Sequence, residues 1–178
     1  MNQKTKKLTV LGALCALAYA ATALGRVPLV LFLKYDPKDI VLALSGLLFG
    51  PLTACAAALL VALAELFTLS ENGILGFLMN VISSCSFACT AALLARKRPG
   101  TRGAAVGLLF GWGCMVLVML FWNYLITPLY MGIPRAAVAE LLLPAFLPFN
   151  LLKGGINAGV TLVLYQPVAR ALARSKLL

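Results

Sequence analysis

Apolar residues run along this chain in long blocks, and polar residues gather in the gaps between them. A block of roughly 18 or more apolar residues matches the thickness of a bilayer core, so the pattern predicts transmembrane helices. Six are read: Leu8–Leu24, Pro37–Phe49, Leu52–Leu69, Ile74–Ala95, Gly103–Ile126 and Phe149–Tyr165. The second is short and is expected to cross obliquely or to be sheltered by its neighbours. A break at Gly50-Pro51 sets off the third. Turn chemistry separates the others, with SENG at 70–73, RKRPG at 96–100 and TPLYMGIP at 127–134. The segment RAAVAELLLPAF (135–146) is too short to span and is expected as a helix or loop at the membrane interface. The reading is a single all-α integral membrane domain, 1–178, with six transmembrane helices.

Composition agrees: of 178 residues, 62% are hydrophobic and only 11% charged, too little charge to cover a water-soluble domain. The net charge of +10 changes the picture only through its distribution. If the first span starts inside, Lys4, Lys6, Lys7, Arg96, Lys97, Arg98, Arg102, Arg170, Arg174 and Lys176 all face the cytoplasm, with no acid among them. The other five basic residues share the remaining segments with all five acids. That is the positive-inside asymmetry; it predicts cytoplasmic N- and C-termini and reads the charge as an orientation signal, not as a nucleic-acid surface. A second layout stays open at the start: the basic head, apolar run and AYA at 18–20 also fit a signal peptide, whose removal would leave five spans.

Several chemistries are excluded or weakened. There is no histidine, hence no imidazole base and no histidine metal site. No P-loop pattern occurs, so the chain does not itself hydrolyse ATP by this route. The five cysteines, Cys15, Cys55, Cys85, Cys89 and Cys114, lie within apolar segments without a C-x-x-C pair. Cys85 and Cys89 share a helix face but read as small packing residues, and no metal site is expected. A membrane-embedded enzyme is therefore disfavoured: no nucleophile is paired with a base.

What remains is polarity where it is expensive. In FLKYDPKDIVLALSGLLFGP (32–51), Asp36 is expected to cap the second helix, Pro37 to occupy its first position, and Asp39 to favour its dipole. Lys38 is expected at the solvent surface. Glu65 either snorkels outward or pairs with a basic loop residue. Asn80, Asn123, Asn150 and Lys153 fall in the outward half, with Asn150 and Lys153 on one helix face, and Tyr35, Phe32, Phe149 and Trp122 nearby. Singly, each reads as an interhelical hydrogen bond or a snorkelling cation. Together, amides and an ammonium beside aromatic residues suit a small, flat molecule with a polar edge. At the other end, Gly12, Ala16 and Ala20 form a small-residue stripe on the first span, fit either for partner docking or for internal packing.

FLKYDPKDI, GLLFGP, NYLITPLYMG and LPFNLLKGG, in this order with six spans, resemble the riboflavin-specific S-components (RibU type) of energy-coupling factor (ECF) transporters. The resemblance covers nearly the whole chain. It implies the S-component fold, residence in the bacterial plasma membrane, no enzymatic activity and no cofactor, with riboflavin bound as the transported substrate. It further implies docking through the first helix on a transmembrane T-subunit that works with two ATPases. Ligand contact is carried over to Asn123, Asn150 and Lys153, and capping to Tyr35; Asn80 joins them by depth, although its span lacks the acidic residue expected nearby. Two alternatives stand beside this: an S-component for another flavin or related vitamin, and a scaffold without a ligand.

Overall fold

The computed structural model describes residues 3–30, 33–69 and 73–174. Phe32, residues 70–72 of the expected SENG turn, and Lys176 lie outside the described residues. Helix α1 covers Gln3–Gly25 and is followed by an antiparallel hairpin of β1 (Val27–Val30) and β2 (Leu33–Tyr35). The remaining helices are α2 (Lys38–Phe49), α3 (Pro51–Thr68), α4 (Gly73–Ala95), α5 (Thr101–Met131), α6 (Arg135–Leu141) and α7 (Leu147–Arg174). Among the described residues, five helical segments are long and apolar enough to cross a membrane. The second predicted span, α2, has 12 residues and a length of about 18 Å, against a hydrocarbon core of about 30 Å.

The short helix is sheltered, as one of the two expected options had it, because it occupies only the inner half of the bundle. Its first turn meets α4 where Asp39 contacts Ser84, roughly 16 Å along α4 from Gly73 at 1.5 Å per residue. Further along, Gly46 packs against Ala54, Ala88 and Ala92. At its end, Gly50 lies in the left-handed region (φ 106°), and a Cβ there would run into the Arg96 guanidinium. The outer half of the bundle therefore has one helix fewer than the inner half, and the β1–β2 hairpin connects α1 to that recessed start. The hairpin lies where the sequence reading expected only loop.

Small residues let the helices close on one another. Ala54, Ala57 and Ala58 of α3 share a core with Ala88, Ala91 and Phe87 of α4. Gly107 and Gly111 of α5 sit so close to α4 that a Cβ would strike the carbonyls of Ala91 and Phe87. This small-x-x-x-small contact is driven by packing rather than water exclusion, since lipid tails are as apolar as the helices.

Prolines inside the helices shift the expected boundaries. Pro128 is accommodated inside α5, which runs to Met131 instead of Ile126 and ends at Gly132 in the left-handed conformation, with the Gly132 N–H donating to the Pro128 carbonyl. The TPLYMGIP turn thus shrinks to Gly132–Pro134. Pro144, which has no N–H to give, sits in a π-helical segment, Leu142–Phe146, that joins α6 to α7. Helix α7 likewise continues through Pro167 to Arg174, beyond the expected end at Tyr165.

Candidate functional site

The recessed start of α2 places charge inside the bundle, where the outer half begins, although the sequence reading had put Lys38 at the surface. Lys38 is 1% exposed, and its Nζ lies 2.5 Å from Glu65 Oε2 and 4.0 Å from Asp36 Oδ2. The solvent-surface expectation for Lys38 is therefore overturned: the ammonium is turned into the bundle by two carboxylates. The capping expectation for Asp36 fails for a related reason. Helix α2 has no side-chain cap, and the Asp36 carboxylate instead accepts from Arg26 Nε at 2.6 Å. Asp39 does lie in the first turn, yet it also makes tertiary contacts: Lys153 Nζ at 3.1 Å, Ser84 Oγ at 2.5 Å and Asn157 Nδ2 at 3.4 Å. Glu65 pairs rather than snorkels, taking Lys38, Arg26 at 3.8 Å and Asn80 Nδ2 at 3.0 Å.

Arg26, Lys38 and Lys153 thus face Asp36, Asp39 and Glu65, three cations against three anions. Buried charges persist when paired and hydrogen-bonded, and this balance meets that condition. Burial alone would push the Asp36 carboxyl up, but Lys38, Lys153 and Arg26 outweigh it and hold the group below the usual carboxylate range. Burial raises the Tyr35 phenol, and the nearby Asp39 carboxylate adds to the effect.

The predicted ligand residues fall into this setting unevenly. Tyr35, at the end of β2, donates to Asn157 Oδ1 at 2.8 Å, and Asn157 donates to Asp39, which pairs with Lys153. Tyr35 and Lys153 are therefore joined through two intermediates. Lys153 also donates to Ser83 Oγ at 3.3 Å, so these contacts engage two of its three N–H donors. Asn80 belongs to the Glu65–Lys38 side of the network. Asn123 and Asn150 are buried, and each gives one amide N–H to its own helix, to Met119 O and Phe146 O respectively. Asn123 Oδ1 also accepts from Thr127 Oγ.

Sequence reasoning missed Arg26, Asp36, Asp39, Ser83, Ser84 and Asn157 as parts of one cluster. Asn157 had a legible signal: Asn150, Lys153, Asn157 and Thr161 recur at helical spacing and are all buried. The acids had none, because pairing them with Lys38 and Lys153 depends on how deep α2 starts. Among the described residues, Glu65 Oε1, Trp112 Nε1, Trp122 Nε1 and Thr161 Oγ1 are buried without a protein hydrogen-bond partner. Of these, Glu65 Oε1 belongs to the charged network, since the other oxygen of the same carboxylate holds Lys38 and Asn80.

The small-residue stripe is split. Gly12 and Ala16 are exposed on the bundle surface, a Cβ at Gly12 would touch nothing, and Ala20 is half-buried. The face of α1 that packs inward carries Leu11, Leu14, Cys15 and Ala18 instead. Gly12 and Ala16 are thus not internal packing residues.

A membrane bundle with a recessed helix, buried amides and an ammonium in its outer half belongs to the class of integral membrane subunits that hold a small molecule. The family follows from comparison: a sequence profile described as "ECF transporter, substrate-specific component" matches residues 6–165, and this chain belongs to that family. Its members are substrate-specific components of transporters, not enzymes, and the chain is accordingly a multi-pass membrane protein. The chain is similar to the riboflavin transporter RibU of Staphylococcus aureus (strain TCH60), with 28% identity over 182 residues, covering 97% of this chain and 95% of that one. It shares its fold with the solved S component of a bacterial ECF transporter, at a TM-score of 0.80 and 24% identity, covering 95% and 98% of the two chains.

Proposed function

We propose that this chain is the riboflavin-capture subunit of an ATP-driven ECF transporter. The observation that carries the reading is the buried face of α7, on which Asn150, Lys153 and Asn157 lie beside the recessed start of α2. Isoalloxazine presents a uracil-like edge with carbonyl acceptors and an N–H donor. Asparagine amides supply both kinds of partner, and the ammonium of Lys153 supplies donors. Asn123, Asn150 and Lys153 are assigned to that edge, Tyr35 to the cover, and Asn80 to the polar margin. The hydroxylated side chain of riboflavin suits the charged half of the network, where Glu65 Oε1 offers a buried acceptor. Near full-length kinship with a riboflavin transporter supports the same reading.

Since the chain contains no P-loop, transport energy is assigned to partners: a T-subunit in the bilayer and two ATPases. The exposed Gly12 and Ala16, with half-buried Ala20, offer α1 a flat strip for close contact with the T-subunit.

The test uses the purified chain and proteoliposomes. Purified protein should carry flavin absorbance or quench riboflavin fluorescence with one-to-one stoichiometry. Proteoliposomes holding the chain alone should bind riboflavin without accumulating it. Absence of flavin binding sinks the riboflavin assignment, and accumulation without any imposed ion gradient sinks the division of labour with the ATPases.

A further inference from the structure

The tertiary structure brings together three cysteines that the sequence had left as packing residues. Cys55 lies in the second turn of α3, and Cys85 and Cys89 lie one turn apart on α4. All three Sγ atoms are within 4.8 Å of one another, with Cys85 and Cys55 at 3.9 Å. We propose that Cys55, Cys85 and Cys89 form a three-thiolate site for a soft monovalent cation, Cu(I) being the one it fits.

The spacing admits a coordination triangle, with Cys85 and Cys55 at 3.9 Å and the other pairs within 4.8 Å. Three sulfurs at about 2.3 Å from a central ion in a plane stand about 4.0 Å from each other. A disulfide needs its sulfurs near 2.05 Å, and all three thiols are free. The donor set is all sulfur, which selects soft cations. Cys55 is exposed on the bundle surface, which leaves an ion a path to the site.

The compartment favours the same assignment. Cys89 Sγ is 3.5 Å from the carbonyl of Pro51, and Pro51 follows Gly50, against which the Arg96 guanidinium rests. Cys55 and Cys89 therefore lie in the half of the bundle toward Arg96, Lys97 and Arg98, the cytoplasmic half by the positive-inside rule, and Cys85 stands one turn deeper on α4. Thiols stay reduced in that compartment. Each thiol that becomes a ligand releases its proton, so three thiolates around a monovalent ion leave two negative charges. The site borders the Lys153–Asp39 region, since Cys85 follows Ser84, whose hydroxyl meets Asp39, but the two share no residue.

The test titrates reduced, anaerobic, purified protein with Cu(I) held by the chromophoric chelator bicinchoninate. The expected result is withdrawal of one Cu(I) per chain, with ultraviolet thiolate-to-copper charge-transfer absorbance. Cys85→Ser and Cys89→Ser should each weaken binding by about tenfold or more, a loss that even outer-shell changes at metal sites reach. The double variant Cys15→Ser/Cys114→Ser should bind as the wild type does. A second readout needs no variant: Cu(I) should shield Cys55, Cys85 and Cys89 from maleimide alkylation while leaving the labelling of Cys15 and Cys114 unchanged. No copper withdrawn, unchanged binding in a folded Cys55→Ser/Cys85→Ser/Cys89→Ser variant, or equal labelling of all five cysteines would each overturn the site.

Discussion

Replacing Lys38 with methionine tests the buried charge network most directly. The side chain keeps its length and loses its ammonium. That leaves Glu65, 1% exposed, without its 2.5 Å partner, and Asp36 without its 4.0 Å one. Arg26 remains at 3.8 Å from Glu65 and Asn80 at 3.0 Å, so the carboxylate is weakened in support rather than stripped of it. Breaking a buried pair by removing one partner costs about 3–5 kcal/mol, and the residual contacts argue for the lower end, about 3 kcal/mol. For a domain of this size that corresponds to a melting temperature lower by roughly 6–12 °C. The assay is thermal unfolding in detergent, run on Lys38→Met, Glu65→Gln and the double variant. Neutralising both partners should recover much of the loss, because the cost resides in the abandoned carboxylate. A Lys38→Met melting temperature within a degree of wild type would refute the reasoning and return Lys38 to the surface. So would a double variant as unstable as the sum of the two singles.

Three further outcomes follow from the same geometry. Lys153→Ala should weaken riboflavin binding roughly ten- to a hundredfold in a fluorescence titration, the worth of a charged hydrogen bond at about 1.5–3 kcal/mol, while Lys97→Ala on the exposed inner loop should leave it unchanged. Equal affinities would remove Lys153 from the site. Ala16→Leu on the exposed face of α1 should abolish uptake by the full complex with binding intact, whereas Ala18→Leu, at 0% exposure, should overpack the core by about 1–3 kcal/mol and lower both; normal uptake with Ala16→Leu would remove the strip as a tight docking face. Because the folded state holds the Asp36 carboxyl below its ordinary value of 3.8, its contribution is complete above that value and is lost as pH falls through the lower folded one. The melting-temperature gap between wild type and Asp36→Asn should therefore be full at neutral pH and narrow below about pH 4, and a gap independent of pH would contradict the ion pair.

The blocks of apolar residues determined the membrane class and most helix positions, because spanning a bilayer demands both length and uniform apolarity, and both are local properties. The basic segments determined orientation for the same reason, since charge bias is summed along the chain. Asn150 and Lys153 were legible as a buried pair because helical spacing puts them on one face. The partners of Asp36, Lys38 and Asp39 were not. A charged run beside an apolar block reads as a helix capped at a polar surface, and only the depth at which α2 begins makes it an interior network. That depth is set by Gly46 against Ala88 and Ala92, and by Gly50 against Arg96, contacts between helices far apart in sequence. The cysteines show the same division. Spacing alone paired Cys85 with Cys89, but Cys55 joins them through the packing of α3 on α4, which brings its Sγ within 3.9 Å of Cys85. Periodicity fixes which face of a helix a residue occupies; the register between helices, decided by small-residue packing, fixes what that face meets.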